Sequence, residues 1–380
     1  MSYKLIYENK EDRDKLILNT PLIELIELKN FGEQSRIDGW KNILAYGENL
    51  GIMKTLLEKN NLKGKVKLIY IDPPFSTNKE WMDLDKNHAY HDNLTGSEFI
   101  EFIRKRLVFL KELLSDDGSI YVHIDQKKGH YIKIIMDEIF GEENFINDIT
   151  RIKCNPKSFD RKAFGNFKDV IYFYSKNPGK NLWTDYKKPL TKNEIEKQFP
   201  RKTKEGRRYA TTPLHAPGET QNGVTGQEWK DMKPPKGRHW RYPPEKLTKL
   251  DEEGLIEWSK TGNPRKMIFA DESPGKKMQD VWEFKDLGVQ RQVYPTEKNQ
   301  EMMNFIINCS SKEEDIVLDC FCGSGSTLLS AEKFNRRWIG IDESKMAIEK
   351  SIKKINSLKE KKVFSVLNAT GKDIPISDFQ

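Results

Sequence analysis

The sequence predicts an α/β protein with one doubly wound, mostly parallel sheet, assembled from both ends of the chain and divided by a basic insert of about 110–140 residues. Three observations predict it. Residues 40–150 and 295–356 alternate short apolar strands with amphipathic helices. Two of the strands, 66–71 and 316–318, are apolar runs that lead directly into an aspartate. Residues 151–290 break the rhythm with clustered Pro, Gly, Lys, Arg and Trp.

In the first α/β stretch, residues 42–46 read as a strand and 50–59 as a helix. Residues 66–71 suit a strand buried on both faces of a parallel sheet. It ends at Asp72-Pro73-Pro74, because proline cannot continue the hydrogen-bond ladder. Phe99, Ile103, Leu107, Leu110 and Leu114 repeat at helical spacing. Asp116-Asp117-Gly118 is expected to stop that helix before a strand at 120–124, and 130–140 is helical again. A strand at 170–174 continues the sheet, and short helices are expected near 191–198 and 244–253. In the last stretch, 301–309 is a helix, 316–318 a strand and 338–341 a strand ending at Asp342. Helices follow each of these strands, one to about residue 334 and one over 344–358. The implied boundaries are an N-terminal extension (1–39), a first half-domain (40–178), an insert (179–290), a second half-domain (291–358) and a C-terminal segment (359–380).

Composition narrows the class. Hydrophobic residues at 36% can form a sizeable core. No apolar run approaches the ~20 residues needed to span a membrane, and the polar N-terminus carries no signal-peptide pattern. A soluble, intracellular protein is expected. Cys154, Cys309, Cys320 and Cys322 lack metal-ligand spacing, so reduced thiols and no metal are expected. The net charge of +7 is uneven. Residues 151–290 hold 30 Lys and Arg against 19 Asp and Glu, an excess of 11, while the remainder holds 35 against 39. That segment fits either a polyanion footprint or a solvated lysine-rich surface.

Two motifs carry chemistry. The first is a strand leading into Asp319, Phe321, Gly323 and Gly325, then a helix, with Asp342 ending the next strand. The glycines allow a tight turn and a close approach to a ligand. The helix start offers unpaired N–H groups, and an acid at the following strand end can accept from two ribose hydroxyls. Two features argue against phosphate-binding versions: there is no Gly-Lys-Ser/Thr, and Leu328 replaces the third glycine of the dinucleotide fingerprint. The second motif is Asp72-Pro73-Pro74-Phe75, delivered by a buried strand to the sheet edge where ligands bind.

Together these motifs resemble the amino-group DNA methyltransferases. Asp72 precedes Asp319 by 247 residues with a variable segment between, an order similar to the β class of that family. Segments 42–50, 67–78, 112–125, 211–229, 237–240, 294–299 and 317–344 resemble methylation subunits of type III restriction–modification systems and their stand-alone relatives. The resemblance implies a Rossmann-like methyltransferase sheet, S-adenosylmethionine as cofactor, and methylation of an exocyclic amine of a flipped base in double-stranded DNA. It assigns Asp72 and the Pro73 carbonyl as acceptors for the amine, within a catalytic set Asp72, Pro73, Pro74 and Phe75, with Phe75 stacking on the base. Asp319, Phe321, Gly323, Gly325 and Asp342 would hold the cofactor.

Thr296 and Lys298 sit where the family lines the methionine end of the cofactor, or in a loop that caps a helix. Glu48 ends the first α/β strand, where the family often has Asp near the cofactor adenine; a Glu in that place departs from the pattern but could accept the adenine amino hydrogens. Trp81 either closes over the base or packs. The insert would be the target-recognition region, with Arg238, Trp240 and Arg241 as DNA contacts or part of a turn. Asp rather than Ser in the catalytic motif favours adenine N6 over cytosine N4. No cysteine follows a proline, as ring-carbon cytosine methylation in its family requires. A non-catalytic DNA-binding subunit, or an amine target on protein or RNA, is the alternative class. Dimerisation, a restriction partner and a cytoplasmic, nucleoid-associated location in a prokaryote or phage follow from the resemblance alone.

Overall fold

The computed structural model describes all residues except 1–3, 34, 76–79, 83–87, 92–95, 156–161, 221, 287–297, 370 and 372–380, and only the backbone of 80–82 and 88–91. It divides into two compact units, residues 1–186 with 278–380, and residues 187–277.

The larger unit is built on a ten-stranded sheet. Its strands are β1 (Ile26–Phe31), β2 (Asn42–Tyr46), β3 (Val66–Ile71), β4 (Leu114–Ile124), β5 (Phe145–Ile152), β6 (Lys168–Ser175), β7 (Val281–Trp282), β8 (Ile316–Asp319), β9 (Arg337–Asp342) and β10 (Phe364–Asn368). They lie in the order β1-β10-β2-β9-β8-β3-β4-β6-β5-β7. The run from β10 to β4 is parallel throughout. Antiparallel pairs flank it, β1 with β10 and β4 with β6 with β5. The expected doubly wound, mostly parallel sheet is therefore present. The chain leaves β3 toward β4 and leaves β8 toward β9, so the order reverses between β3 and β8. Crevices of this kind at strand C-termini are where such sheets bind ligands.

Two apolar layers cover the sheet. On one face Ile69, Ile71, Leu318 and Ile339 pack with Leu16 of α1 (Arg13–Asn19), Ile52 and Leu56 of α2 (Asn49–Glu58), Ile103 and Leu107 of α3 (Gly96–Leu113), and Ile132 of α4 (Gly129–Phe140). On the other, Leu68, Tyr70, Val317 and Trp338 pack with Met303 and Ile306 of α5 (Gln300–Ser310), Leu328 of α6 (Ser326–Lys333) and Ile352 of α7 (Lys345–Asn356). Neighbouring residues of β3 serve opposite layers, as the two-residue period of a strand requires.

The structure refines several expectations. Helix α3 passes into β4 at Leu114 without a separate turn, and Asp116, Asp117 and Gly118 form a bulge where pairing with β3 jumps from Leu114 to Ser119. Strands β1, β5, β7 and β10 were not expected. β1 has no buried residue and carries Glu27 and Lys29, a charged edge strand with little apolar pattern. β1 and β10 bring residues before 40 and after 358 into the sheet.

The smaller unit has a four-stranded antiparallel sheet, Ile256–Trp258, Pro264–Phe269, Arg208–Pro213 and Arg201–Lys202 in spatial order. A two-stranded ribbon pairs His215–Pro217 with Arg238–Trp240. Leu214, Trp229, Trp240, Leu247, Leu250 and Ile256 form its core.

Gly340 of β9 is a close-approach glycine. A Cβ there would lie 2.4 Å from Leu328 Cδ1. Gly340→Ala should lower stability by ~1–3 kcal/mol through overpacking, seen as a reduced midpoint in denaturant at unchanged slope.

Candidate active site

Three aspartates end three neighbouring parallel strands. Asp72 follows β3, Asp319 closes β8 and Asp342 closes β9. The pairing of β8 with β3, Leu318 opposite Ile69, brings the two sequence motifs to one edge.

The loop after β8 is held as a backbone cradle. Gly323 and Gly325 have φ of +50° and +76°, where side chains are strained. A Cβ on Gly325 would also meet Ser351 Oγ at 2.7 Å. The Asp319 carboxylate accepts from the Phe321 N–H at 3.0 Å. Asp342 Oδ2 accepts from the Gly323 N–H at 2.8 Å, and its Oδ1 accepts from Ser344 N–H at 2.9 Å. Each carboxylate oxygen has two lone pairs, so both still have accepting capacity. The Cys322 N–H donates to the Ile341 carbonyl, and Ser351 Oγ donates to the Gly323 carbonyl. The loop is thereby fixed to β9 and α7.

Burial dominates the electrostatics of this edge. Asp319 is 2% exposed. Burial pushes its carboxyl up to about 7, against hydrogen bonds from Thr327 and Phe321, and nearby Asp72 and Asp342 add to the rise. Asp342, half-buried, is raised to about 6 chiefly by burial.

Asp72 has two distinct oxygens. Oδ2 meets Lys298 Nζ at 2.6 Å. Oδ1 lies 3.5 Å from His123 Nδ1 and, among the described residues, has no hydrogen-bond partner. Lys298 stands 5.5 Å over the Phe75 ring, and Phe75 is 6.0 Å from the His123 ring centroid. The structure thus gathers Asp72, Phe75 and Lys298 with the strand ends that carry Asp319 and Asp342. Pro73 is buried and Pro74 half-buried at the mouth of β3. Thr296 and the side chain of Trp81 lie outside the described residues.

Glu48 caps α2, accepting from the N–H groups of Leu50 and Gly51 at 3.0 Å each. Arg106 Nη2 donates to the same carboxylate at 2.6 Å. Arg106, 3.4 Å over the Phe102 ring, also donates to Asn49, which donates to the Cys320 carbonyl. This chain couples the end of β2 to the glycine loop. Arg106 was missed in the sequence, although a cation beside Phe102, Ile103 and Leu107 on a helical stripe signals a buried, partnered charge.

In the smaller unit, Arg238 and Arg241 are exposed, Arg238 Nη1 lying 3.1 Å from His215 Nδ1 and Arg241 Nε donating to the Pro213 carbonyl at 3.0 Å. Trp240 is different. It is 2% exposed and its indole N–H donates to the Gln227 carbonyl at 3.0 Å. An enclosed indole with its donor satisfied packs a core and offers no face to a ligand, so the DNA contact expected of it is withdrawn. The unit carries 21 Lys and Arg against 13 Asp and Glu.

Among the described residues, no cluster of His, Cys, Asp and Glu is placed to hold a metal, and no helix is long and apolar enough to cross a membrane.

Comparison with known proteins adds to this geometry. Residues 66–354 match the family described as DNA methylase, N6_N4_Mtase. The chain is 46% identical over 357 residues to the type II methyltransferase M.EcaI of Enterobacter cloacae, covering 92% of this chain and 77% of that protein. It is 26% identical over 326 residues to the type III restriction-modification enzyme StyLTI Mod subunit of Salmonella typhimurium, covering 75% of this chain and 49% of that one. The chain thus spans about half the length of that type III relative. The M1.HpyAVI–SAM complex matches 83% of this chain and 99% of that one, at 18% identity and a TM-score of 0.44.

One prediction concerns Asp319. Its raised carboxyl means that the folded state binds more protons than the unfolded chain between pH ~4 and ~7. Stability therefore falls as pH rises through that window. Asp319→Asn should make the decline in melting temperature from pH 5 to pH 7.5 shallower than in the unaltered protein, measured by calorimetry in matched buffers.

Proposed function

Since the chain belongs to the DNA methylase family, we propose that it transfers a methyl group from S-adenosylmethionine to the exocyclic amine of adenine in duplex DNA. The observation that carries this reading is the meeting of Asp72 and the glycine cradle at one sheet edge. The residues present fit the cofactor: a cradle that a Cβ would fill, and two strand-end carboxylates with lone pairs to spare. Asp342 would take the ribose hydroxyls, and the turn at Gly323 and Gly325 would let the backbone approach. Glu48 already accepts three hydrogen bonds, so its share in holding the adenine would use a remaining lone pair.

An adenine amine is a weak nucleophile because its lone pair is delocalised into the ring. Asp72 and the Pro73 carbonyl accept its two hydrogens, localise the lone pair and favour the tetrahedral geometry of the transition state. The sulfonium cofactor supplies an activated methyl group. Phe75, half-buried at the strand mouth, stacks on the base once it is flipped from the duplex. Lys298 shares Asp72 with the incoming amine and fixes the rotamer of its carboxylate. Asp in the first position of the motif, where cytosine N4 enzymes favour Ser, supports adenine.

The unit 187–277, with its positive balance, would hold the DNA, and Arg238 and Arg241 are its proposed contacts. Partnership with a restriction subunit is proposed by analogy with the type III relative.

Two outcomes test this. Asp72→Ala should abolish transfer of labelled methyl to duplex DNA while circular dichroism and melting temperature stay near those of the unaltered protein. Turnover at the original rate would refute the assignment. Gly325→Val should weaken S-adenosylmethionine binding at least about ten-fold by calorimetry, because both its φ and its neighbour Ser351 oppose a side chain.

A further inference from the structure

Beneath Asp72 lies a buried polar chain that the proposed mechanism does not use. His123, fully buried in β4, interrupts the apolar run 120–124. Its Nδ1 is 2.9 Å from the Tyr70 hydroxyl and 3.5 Å from Asp72 Oδ1. Its Nε2 is 3.4 Å from Asp169 Oδ2. Asp169, 3% exposed, also meets Lys153 Nζ at 2.6 Å and lies 3.9 Å from Arg151 Nη1. Arg151 in turn pairs with Asp286 and donates to the Phe284 carbonyl. Lys298 and Phe75 complete the surroundings from the catalytic side.

The network assigns the imidazole protons. Burial works to raise the Asp169 carboxyl, but His123 and Lys153 overcome it and hold it well below the usual range. An ionised carboxylate only accepts, so it favours a proton on Nε2; at 3.4 Å the attraction is chiefly that of a charge for a dipole. Burial also lowers the affinity of His123 for a second proton, against the charges of Asp72 and Asp169. Nδ1 is then bare. Burial keeps the Tyr70 hydroxyl protonated, and it donates to that nitrogen.

We propose that His123 is a positioning residue for the amine-binding carboxylate. Held as the Nε2–H tautomer between Tyr70 and Asp169, it turns a bare Nδ1 toward Asp72 and leaves Oδ1 as the acceptor for the target amine. Lys298 takes Oδ2, so the two oxygens divide their tasks. A proton on Nδ1 would lie between the Tyr70 oxygen and Oδ1, and its attraction to the carboxylate would compete with the substrate for that acceptor. The proposal rests on the reading of Asp72 given above.

Histidine-selective 15N NMR of the full-length protein reads the tautomer directly, with His123 assigned by the signal lost in His123→Gln. A bare Nδ1 and a protonated Nε2 near neutral pH are expected. A protonated Nδ1, or an imidazolium, overturns the proposal. Asp169→Asn supplies the functional arm. Its amide can donate to Nε2 and drive the proton to Nδ1, the tautomer reversal known for the Asp of a Ser-His-Asp triad. kcat for methyl transfer should fall at least about ten-fold with KM for S-adenosylmethionine changed less than about two-fold.

His123→Asn keeps an acceptor near the Nδ1 position and should retain more kcat than His123→Leu. Equal rates for those two variants would mean that His123 only fills space, and would overturn the proposal. Turnover by Asp72→Ala would sink the underlying site assignment. An inactive Asp72→Ala beside Asp169→Asn and His123→Leu at full kcat would sink this inference alone.

Discussion

The parallel pairing of β3 with β8 is the constraint on which the rest depends. Strands whose terminal aspartates are 247 residues apart in sequence lie side by side, with Val317 opposite Leu68 and Leu318 opposite Ile69. Both are buried strands whose side chains feed opposite apolar layers. A one-residue slip would turn each side chain to the other face, so burial fixes the register. With the register fixed, Asp72 and Asp319 must emerge at the same edge. The unit 187–277 interrupts the chain between them without entering this pairing.

That edge concentrates negative charge in little water. Asp72 and Asp342 add to the rise that burial causes in the Asp319 carboxyl. The fold offsets this with backbone donors at the glycine loop and with Lys298 at Asp72. Behind it, Arg151, Lys153, His123 and Asp169 form a second layer of alternating charge and dipole. The arrangement suits a reaction that brings a cationic methyl donor to a neutral amine. Acceptors fixed before the substrate arrives need no reorganisation during transfer.

Much of this was legible in the sequence because it rests on local signals. An apolar run closed by Asp-Pro-Pro reads as a strand end, and Gly-Ser-Gly before a helix reads as a tight turn. The other elements from 42 to 140 and from 300 to 356 follow from periodicity, the ribbon of Glu80–Met82 with His88–His91 excepted. The outer strands were not legible, since β1 and β5 alternate weakly and owe their state to neighbours far away in sequence. Arg106 and His123 were overlooked for a related reason. Each is a polar residue inside an apolar pattern, and its meaning lies in partners 58 and 53 residues away, Glu48 and Tyr70. Trp240 failed in the opposite direction, since clustering with Arg238 and Arg241 said nothing about which side chain turns inward.

The claim that this edge is an amine-methylating site for adenine meets its most direct test in the chemical identity of the product. Duplex DNA incubated with the purified protein and S-adenosylmethionine, digested to nucleosides and analysed by mass spectrometry, should contain N6-methyladenine as its new base. Methylated cytosine without methyladenine would contradict the account.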